Sequence, residues 1–127
     1  MKIQALLFKA SIAVFMAGPA LTVWAQAPAK VSDGRLTDAR GMTLYTSDRD
    51  VANSGKSVCN GPCADNWPPL MAKEGDKDQG NYTVVTRDDG KKQWAYNGKP
   101  LYLWAKDKKP GDKTGDGVGK VWHAATP

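Results

Sequence analysis

The sequence predicts an all-β protein with little helix, in which two tandem copies of a short β-hairpin and meander unit pack into one compact domain. Three observations support this prediction. Asp-Gly and Asn-Gly pairs, which supply the positive φ of tight hairpin turns, separate short runs rich in Val, Thr, Tyr and Trp. Beyond the N-terminal region no segment shows a sustained 3.6-residue apolar period, and Gly and Pro occur throughout. A ten-residue pattern also occurs twice.

The first residues have the layout of a secretory signal. Lys2 and Lys9 give the first segment a positive charge, and an uncharged apolar run follows at Ala10–Leu21. This run is shorter than the about 20 apolar residues that a transmembrane helix needs, so an uncleaved membrane anchor is the less favoured alternative. Two small-x-small frames overlap, Val23–Ala25 and Ala25–Ala27, and because the second would place Pro28 directly after the cut, we predict cleavage after Ala25. We therefore expect a periplasmic or extracellular protein that is soluble after signal cleavage and has no integral membrane span.

A repeated pattern organises the rest of the chain. The sequence G-x-x-L-Y-x-x-x-x-D occurs at Gly41–Asp50 and again, 57 residues later, at Gly98–Asp107. An Asp-Gly pair precedes each copy, and a tryptophan follows each, Trp67 and Trp122 respectively. Because a unit of roughly forty residues cannot bury an adequate core alone, we expect the copies to pack on each other about a pseudo-twofold axis. The predicted organisation is a signal peptide at 1–25, a flexible N-terminus at 26–30 and a single duplicated β domain at 31–127, with repeat one at 31–70 and repeat two at 82–124.

The second repeat gives the clearest strand predictions. Tyr82–Thr86 and Gln93–Tyr96 flank the turn Asp88–Gly90 and predict a hairpin. Asn97-Gly98 then turns the chain into Leu101–Trp104. Strand periodicity places leucines on one face of that segment and aromatic residues on the other, so both faces are apolar. We therefore expect Leu101–Trp104 to be a central strand that is covered on both sides.

The two cysteines lie close together in the segment Cys59–Cys63. In an exported protein such a pair favours a structural disulfide, which would stabilise the fold by about 2 kcal/mol on the chain-entropy model. A thiol–disulfide redox role or a metal-linked role is the alternative. The C-x-x-x-C spacing differs from the C-x-x-C of thiol oxidoreductases, and no helix start is apparent that would lower a thiol pKa.

Other chemistry has weak candidates. His123 is the only histidine, whereas zinc sites draw on several Cys and His ligands. Asp112 and Asp116 lie in the glycine-rich loop Asp107–Gly119, where a hard cation could find carboxylate ligands, although the loop's lysines would repel it. A nucleophile elbow of the G-x-S-x-G kind is absent from the sequence. We therefore predict no catalytic residues, no cofactor and no metal, with His123, Asp112 and Asp116 as the weak metal candidates.

Charge limits the partners. The formal net charge of the full chain is +5, and removal of Lys2 and Lys9 with the signal lowers it to +3. A charge this small is not the clustered basic footprint of a nucleic-acid-binding domain. We therefore expect a monomer that binds an envelope component or a small ligand and does not bind nucleic acid.

Two further stretches, together with the duplicated motif, carry a resemblance to a known family. They are Cys59–Ala64 with Trp67–Leu70, and the run Arg87–Tyr102. The chain resembles, over nearly all of its length after the signal, the bacterial secreted repeat family of unknown function, also described as predicted lipoproteins with a Tyr-x-aromatic-x-x-Asp motif. The resemblance implies an envelope location and a duplication, and it brings no established activity. The apolar signal run does not end in a cysteine, so a lipid anchor has no acceptor there.

The aromatic motif has two interpretations. The second copy fits it in full, whereas the first has Ser47 in the aromatic slot. The structural interpretation, which we favour, is that the Leu, Tyr and Trp side chains fill a two-sided core while the aspartate caps a turn. The functional alternative is a ligand groove in which flat aromatic faces bind sugars or other envelope molecules. The candidate residues are Tyr45, Asp50, Trp94, Tyr96, Tyr102, Trp104 and Asp107.

Two classes of function follow from the sequence. The leading hypothesis is a non-catalytic, exported binding or envelope-interaction module. The alternative is a small redox or metal-linked periplasmic protein that uses Cys59 and Cys63. The reduction potential of the disulfide distinguishes them, because inert structural bridges lie below about −300 mV.

Overall fold

A computed structural model describes residues 27–127 of the chain. The predicted signal peptide and its cleavage after Ala25 lie outside these residues. The prediction of a mostly β fold with little helix is confirmed, since the strands form three small antiparallel sheets. The strands are β1 (Lys30–Ser32), β2 (Arg35–Thr37), β3 (Tyr45–Ser47), β4 (Tyr82–Thr86), β5 (Lys92–Tyr96), β6 (Lys99–Pro100) and β7 (Trp122–Ala124); α1 spans Pro62–Asn66, and a 3-10 turn spans Val118–Lys120.

The hairpins form where the turn residues predict them. Asp33 and Gly34 have φ of 52° and 78° and join β1 to β2 in a two-residue turn. Asn97 and Gly98, with φ of 49° and 83°, join β5 to β6 in the same way. The predicted hairpin across Asp88–Gly90 is confirmed as β4 paired with β5. Positive φ at both central residues gives a two-residue turn the twist of its strands, which is why Asp-Gly and Asn-Gly occur here.

Three chain segments close on one another in the first half of the molecule. The amide of Leu36 donates to the carbonyl of Ala125 at 2.8 Å, Ala125 donates to Leu44 at 2.8 Å, and Leu44 donates to Leu36 at 3.0 Å. These three bonds form a closed ring. All three residues are buried and belong to one apolar cluster. Ala125 directly follows β7 in the second half of the chain, so this half completes the ring of the first repeat.

The second half repeats this arrangement with different residues. Trp94 donates to Leu70 at 2.8 Å, Leu70 donates to Leu101 at 2.9 Å, and Leu101 donates to Trp94 at 2.9 Å. Here the residue from the other repeat is Leu70, which lies in the tail of repeat one. Each repeat therefore exchanges its C-terminal segment with its partner, and neither repeat holds all three segments of a ring by itself.

The predicted central strand Leu101–Trp104 is wrong in its bounds. The paired strand β6 is Lys99–Pro100, and only Tyr102 continues the pairing, through single bridges to Tyr45 and Pro69. The reason is that the chain changes partners after Pro100: Tyr102 exchanges bonds with Tyr45, and Leu103 donates to Pro68 at 2.7 Å, so the ladder with β5 does not continue. The expected central position is correct, since Tyr102 has a neighbour on each side.

The structure also contains a short helix that the sequence analysis missed. Helix α1 begins at Pro62, and its N-cap is Gly61 with a φ of 57°. Proline is common at the first helical position because its missing N–H is not needed there. The statement that no helix start is apparent near the cysteines was therefore wrong, since Cys63 lies in the first turn of this helix.

The core consists of two clusters with different chemistry. One is aliphatic and lies around the two rings, with Leu36, Leu44 and Leu101 as its most buried members. The other is aromatic and lies between the two repeats. Its members are Tyr45, Cys59, Trp67, Tyr102 and Trp122.

Candidate functional site

The tyrosine of the first motif bonds to the aspartate of the second. The hydroxyl of Tyr45 donates to Oδ2 of Asp107 at 2.6 Å, and Tyr45 is 0% exposed. The other oxygen, Oδ1, accepts the amide of Thr114 at 3.0 Å and its hydroxyl at 2.6 Å. The hydroxyl of Tyr45 also accepts the amide of Gly115 at 3.1 Å. Both carboxylate oxygens of Asp107 are therefore used inside the protein.

The tyrosine of the second motif makes the reciprocal bond. The hydroxyl of Tyr102 donates to Oδ2 of Asp50 at 2.6 Å and lies 2.6 Å from the hydroxyl of Ser57. Oδ1 of Asp50 accepts the amide of Val58 at 2.9 Å. Backbone bonds connect the tyrosines directly, because Tyr45 and Tyr102 exchange N–H···O bonds of 2.8 and 2.9 Å. Each Tyr-to-Asp motif therefore acts across the two repeats and not within one.

These contacts change the acidity of both phenols. Burial, and then the hydrogen bond to Asp107, raise the pKa of Tyr45 above its usual value of 10.0. Burial, and then the hydrogen bond to Asp50, raise the pKa of Tyr102 in the same direction. A buried phenolate next to a carboxylate would place two negative charges together, so the neutral hydroxyl is favoured.

Stability should fall at alkaline pH because of these two tyrosines. Their raised pKa values give a contribution to stability that is complete below pH 10 and is lost as the pH rises through the folded-state values. Above pH 10 the unfolded chain releases protons that the folded chain keeps, so the free energy of unfolding should fall by up to about 1.4 kcal/mol per pH unit for each tyrosine. Urea titrations of the wild type and of Tyr102→Phe across that pH range measure this slope. The variant should have the shallower slope, and equal slopes would contradict the assignment.

Stacked indoles fill the space between the repeats. Trp67 and Trp122 occupy equivalent positions in the two copies, and their rings stack at 3.8 Å with 4° between the planes. Each ring also meets a motif tyrosine edge-on, Tyr45 against Trp67 and Tyr102 against Trp122. Trp104 extends the stack on the other face of Trp67 at 4.0 Å and stays partly exposed. The aromatic residues of the motif thus belong largely to the core.

The two cysteines form the predicted disulfide, Cys59–Cys63. Cys59 is buried, and its carbonyl accepts a 2.6 Å bond from the guanidinium of Arg87. Arg87 also donates to Gln93 at 2.7 Å and to Ser57 at 3.0 Å, so it connects the disulfide loop to β5. Cys63 is only partly buried.

The three weak metal candidates each make hydrogen bonds with different residues. His123 Nε2 is 2.8 Å from Oδ2 of Asp48. Asp112 accepts the amides of Lys108 and Lys109, which lower its pKa, and Asp116 accepts the amide of Ala124. Within residues 27–127, no group of three or more His, Cys, Asp or Glu side chains is placed to hold a metal ion.

A surface cleft, called cleft A here, has a volume of about 550 Å³. It lies between the turn after β2 and the tail of repeat one. Its main apolar lining comes from Leu70, Met71 and Trp94. The charged side chains that line it are Asp38, Arg40, Lys73 and Asp76.

A second cleft, cleft B, has a volume of about 280 Å³ and lies between the β5–β6 turn and the tail of repeat two. The polar side chains that line it are Thr46, Tyr96, Asn97, Lys99, His123 and Thr126.

The two clefts occupy corresponding places in the duplicated fold. In the two hydrogen-bond rings, Leu36 takes the place of Trp94, and Ala125 takes the place of Leu70. The turns that follow Leu36 and Trp94, together with the residues around Leu70 and Ala125, line the two clefts. The duplication therefore produces one cleft per repeat, and the two have diverged in size and chemistry.

The structure does not bring the predicted groove residues into one groove. Trp94 lines cleft A, and Tyr96 lines cleft B. Tyr45 and Tyr102 are 0% exposed and have no surface for a ligand. The sequence analysis missed Leu70, Met71, Arg40 and Lys99 as cleft residues, although the apolar residue after the Trp-Pro-Pro of repeat one was an available signal.

One family model, described as a secreted repeat of unknown function, matches the chain twice, at residues 28–71 and 83–126. No curated protein and no solved structure matches the chain significantly. Within residues 27–127, no helix is long and apolar enough to cross a membrane.

Proposed function

Because this chain belongs to the secreted repeat family of unknown function, we propose that it is an exported, non-catalytic binding module in the cell envelope whose principal ligand site is cleft A. The observation that carries the proposal is a concave site of about 550 Å³ in which an apolar surface lies beside four charged side chains of both signs. Sites for small ligands are typically clefts of about 300–1,000 Å³.

The apolar lining supports an amphipathic ligand. Met71 is 45% exposed, although it is a large apolar side chain, and it lies beside Leu70 and Trp94 in the cleft. A thioether is flexible and polarizable, so it adapts to ligands of different shape. Burial of Met71 under an apolar group of a ligand would remove this exposed surface from water.

Polar groups in cleft A can fix the orientation of a bound ligand. The hydrogen bonds around the Met71–Gln93 bridge run through Leu70 and Ala72, so the amide and carbonyl of Met71 point away from β5. Neither has a hydrogen-bond partner within residues 27–127. Arg40 bonds to Asp38 at 3.0 Å and stays largely exposed. A ligand with an apolar body and a polar head would satisfy both parts of this cleft.

Methionine methyl groups provide a direct test. Met42 and Met71 are the only methionines in residues 27–127, so methyl-labelled protein gives one probe in cleft A and one outside it. We expect soluble glycan fragments, short peptides or single-chain lipids, screened by NMR, to move the Met71 methyl signal while that of Met42 stays in place. Saturable shifts confined to Met71 would identify the ligand class.

A pair of substitutions controls this experiment. Met71→Lys places a charge in the cleft and should weaken binding by about tenfold or more. Val51→Lys makes the same change at a residue that is 68% exposed and does not line the cleft, and it should bind as the wild type does. Equal loss in both variants, or no shift of Met71 with any class of probe, would overturn the proposal.

Thiol–disulfide chemistry at Cys59 and Cys63 is the second candidate. Its support is the placement of Cys63, which is partly exposed in the first turn of α1, while Cys59 is buried. An external thiolate would therefore reach Cys63 first. A reduction potential well above about −300 mV would favour this function, and a lower one would favour a structural bridge.

A further inference from the structure

Cleft B presents a cation that has no carboxylate partner. Lys99 is partly buried, and its Nζ donates to the carbonyl of Ser47 at 3.1 Å. None of the ion pairs within residues 27–127 includes Lys99. An ammonium group carries three donors, so two of them are left for another acceptor. A partly desolvated, unpaired positive charge makes the cleft favourable for an anion.

The imidazole of His123, which also lines cleft B, already has a partner. His123 contacts Asp48 at 2.8 Å, and Asp48 does not line the cleft. The carboxylate of Asp48 is therefore held at the imidazole, and Lys99 is left to attract the ligand's charge.

The neutral groups in the same cleft match a sugar ring. Tyr96 is partly buried, packs against Tyr82 at 5.0 Å between ring centroids, and offers an aromatic surface with a polar edge. Thr46 and Thr126 each add a hydroxyl that can both donate and accept. An aromatic ring, hydroxyl groups and one cation are the groups that recognise a pyranose ring, its hydroxyls and its acid group.

We propose that cleft B binds one acidic sugar residue, with the ligand's carboxylate at Lys99 and its ring against Tyr96. The volume of about 280 Å³ lies just below the range of sites for drug-sized ligands, so it suits a single ring. This site is separate from cleft A, and its failure would leave the proposal for cleft A unchanged.

Titration with three matched probes tests the site. Amide NMR spectra of the exported chain are recorded at low ionic strength with glucuronate, with glucose and with acetate. Glucuronate should move the amide signals of Tyr96, Lys99 and Thr126 and should bind about tenfold or more tightly than either glucose or acetate. Equal binding of glucose would remove the role of Lys99, and equal binding of acetate would remove the sugar from the proposal; either result overturns it.

Three variants separate the site from general charge attraction. Lys99→Gln should weaken glucuronate binding by about tenfold, whereas Lys91→Gln, which removes the same charge from an exposed hairpin turn, should leave it unchanged. Thr126→Trp fills the cleft from an exposed position, keeps Lys99 in place, and should abolish binding. Equal loss in Lys99→Gln and Lys91→Gln, or full binding in Thr126→Trp, would overturn the proposal.

Discussion

Replacing Asp50 with alanine is expected to lower the free energy of unfolding by about 3 kcal/mol. The change removes the acceptor of a buried bond from the hydroxyl of Tyr102 at 2.6 Å and of a partly buried bond from the amide of Val58 at 2.9 Å. The hydroxyl of Tyr102 keeps its contact with Ser57 but loses its charged acceptor, and the loss of a hydrogen bond to a charged group costs about 1.5–3 kcal/mol. Urea unfolding of the variant, followed by circular dichroism, measures the loss. Asp48→Ala is the matched control, since this aspartate is two residues away and its one contact, with His123, is exposed, so its loss should change stability by less than about 1 kcal/mol.

Double-mutant cycles distinguish bonds across the repeats from bonds within them. Tyr102→Phe with Asp50→Ala, and Tyr45→Phe with Asp107→Ala, remove pairs that share a hydrogen bond, so each pair should show a coupling energy of about 1 kcal/mol or more. Tyr45→Phe with Asp50→Ala removes two residues of the same motif that share no hydrogen bond. Their effects should add within about 0.5 kcal/mol. Coupling inside one motif and additivity across the repeats would show that the reciprocal arrangement is wrong.

The reciprocal bonds explain why each copy of the motif contains both a tyrosine and an aspartate. A tyrosine and an aspartate five residues apart in sequence would ordinarily suggest a local turn contact. Here Tyr45 extends toward the second copy, and Asp50 receives the tyrosine of that copy. The exchanged tails, which bring Leu70 and Ala125 into the opposite rings, follow the same principle. Each repeat supplies what its partner lacks, so both copies are needed for one core.

Local features of this fold could be predicted from the sequence because local chemistry determines them. The turns at Asp33-Gly34 and Asn97-Gly98 need positive φ, and the residue types show it. The hairpin across Asp88–Gly90 joins strands that are adjacent in sequence, and the chain has only two cysteines, which can pair only with each other. The duplication is visible in the sequence as well, and the family match confirms it.

Features that depend on distant segments could not be predicted. The bounds of the Leu101–Trp104 strand were wrong because its hydrogen bonds go to Trp94 and to Leu70 from the other repeat. The shapes of the two clefts could not be predicted, since each cleft forms between a turn and a tail that are about thirty residues apart in the chain. Helix α1 is different, because Pro62 after Gly61 was a usable local signal.

Trp67 should be the most costly single residue to remove from the aromatic cluster. Its ring stacks on Trp122 at 3.8 Å and on Trp104 at 4.0 Å, and Tyr45 meets it edge-on. Trp67→Ala therefore removes a buried side chain from contacts on both faces and leaves a cavity between the two repeats, which should lower the free energy of unfolding by about 3–5 kcal/mol.

Trp104→Ala is the control variant for Trp67→Ala. Trp104 stacks on one face of Trp67 and is partly exposed, so its removal should cost only about 1–2 kcal/mol. Ser47 occupies the equivalent position of the first copy, which shows that the fold does not need a ring there. Urea unfolding of both variants measures the difference. A loss at Trp104 equal to that at Trp67 would mean that the third indole, and not the contact between the equivalent tryptophans, joins the two repeats.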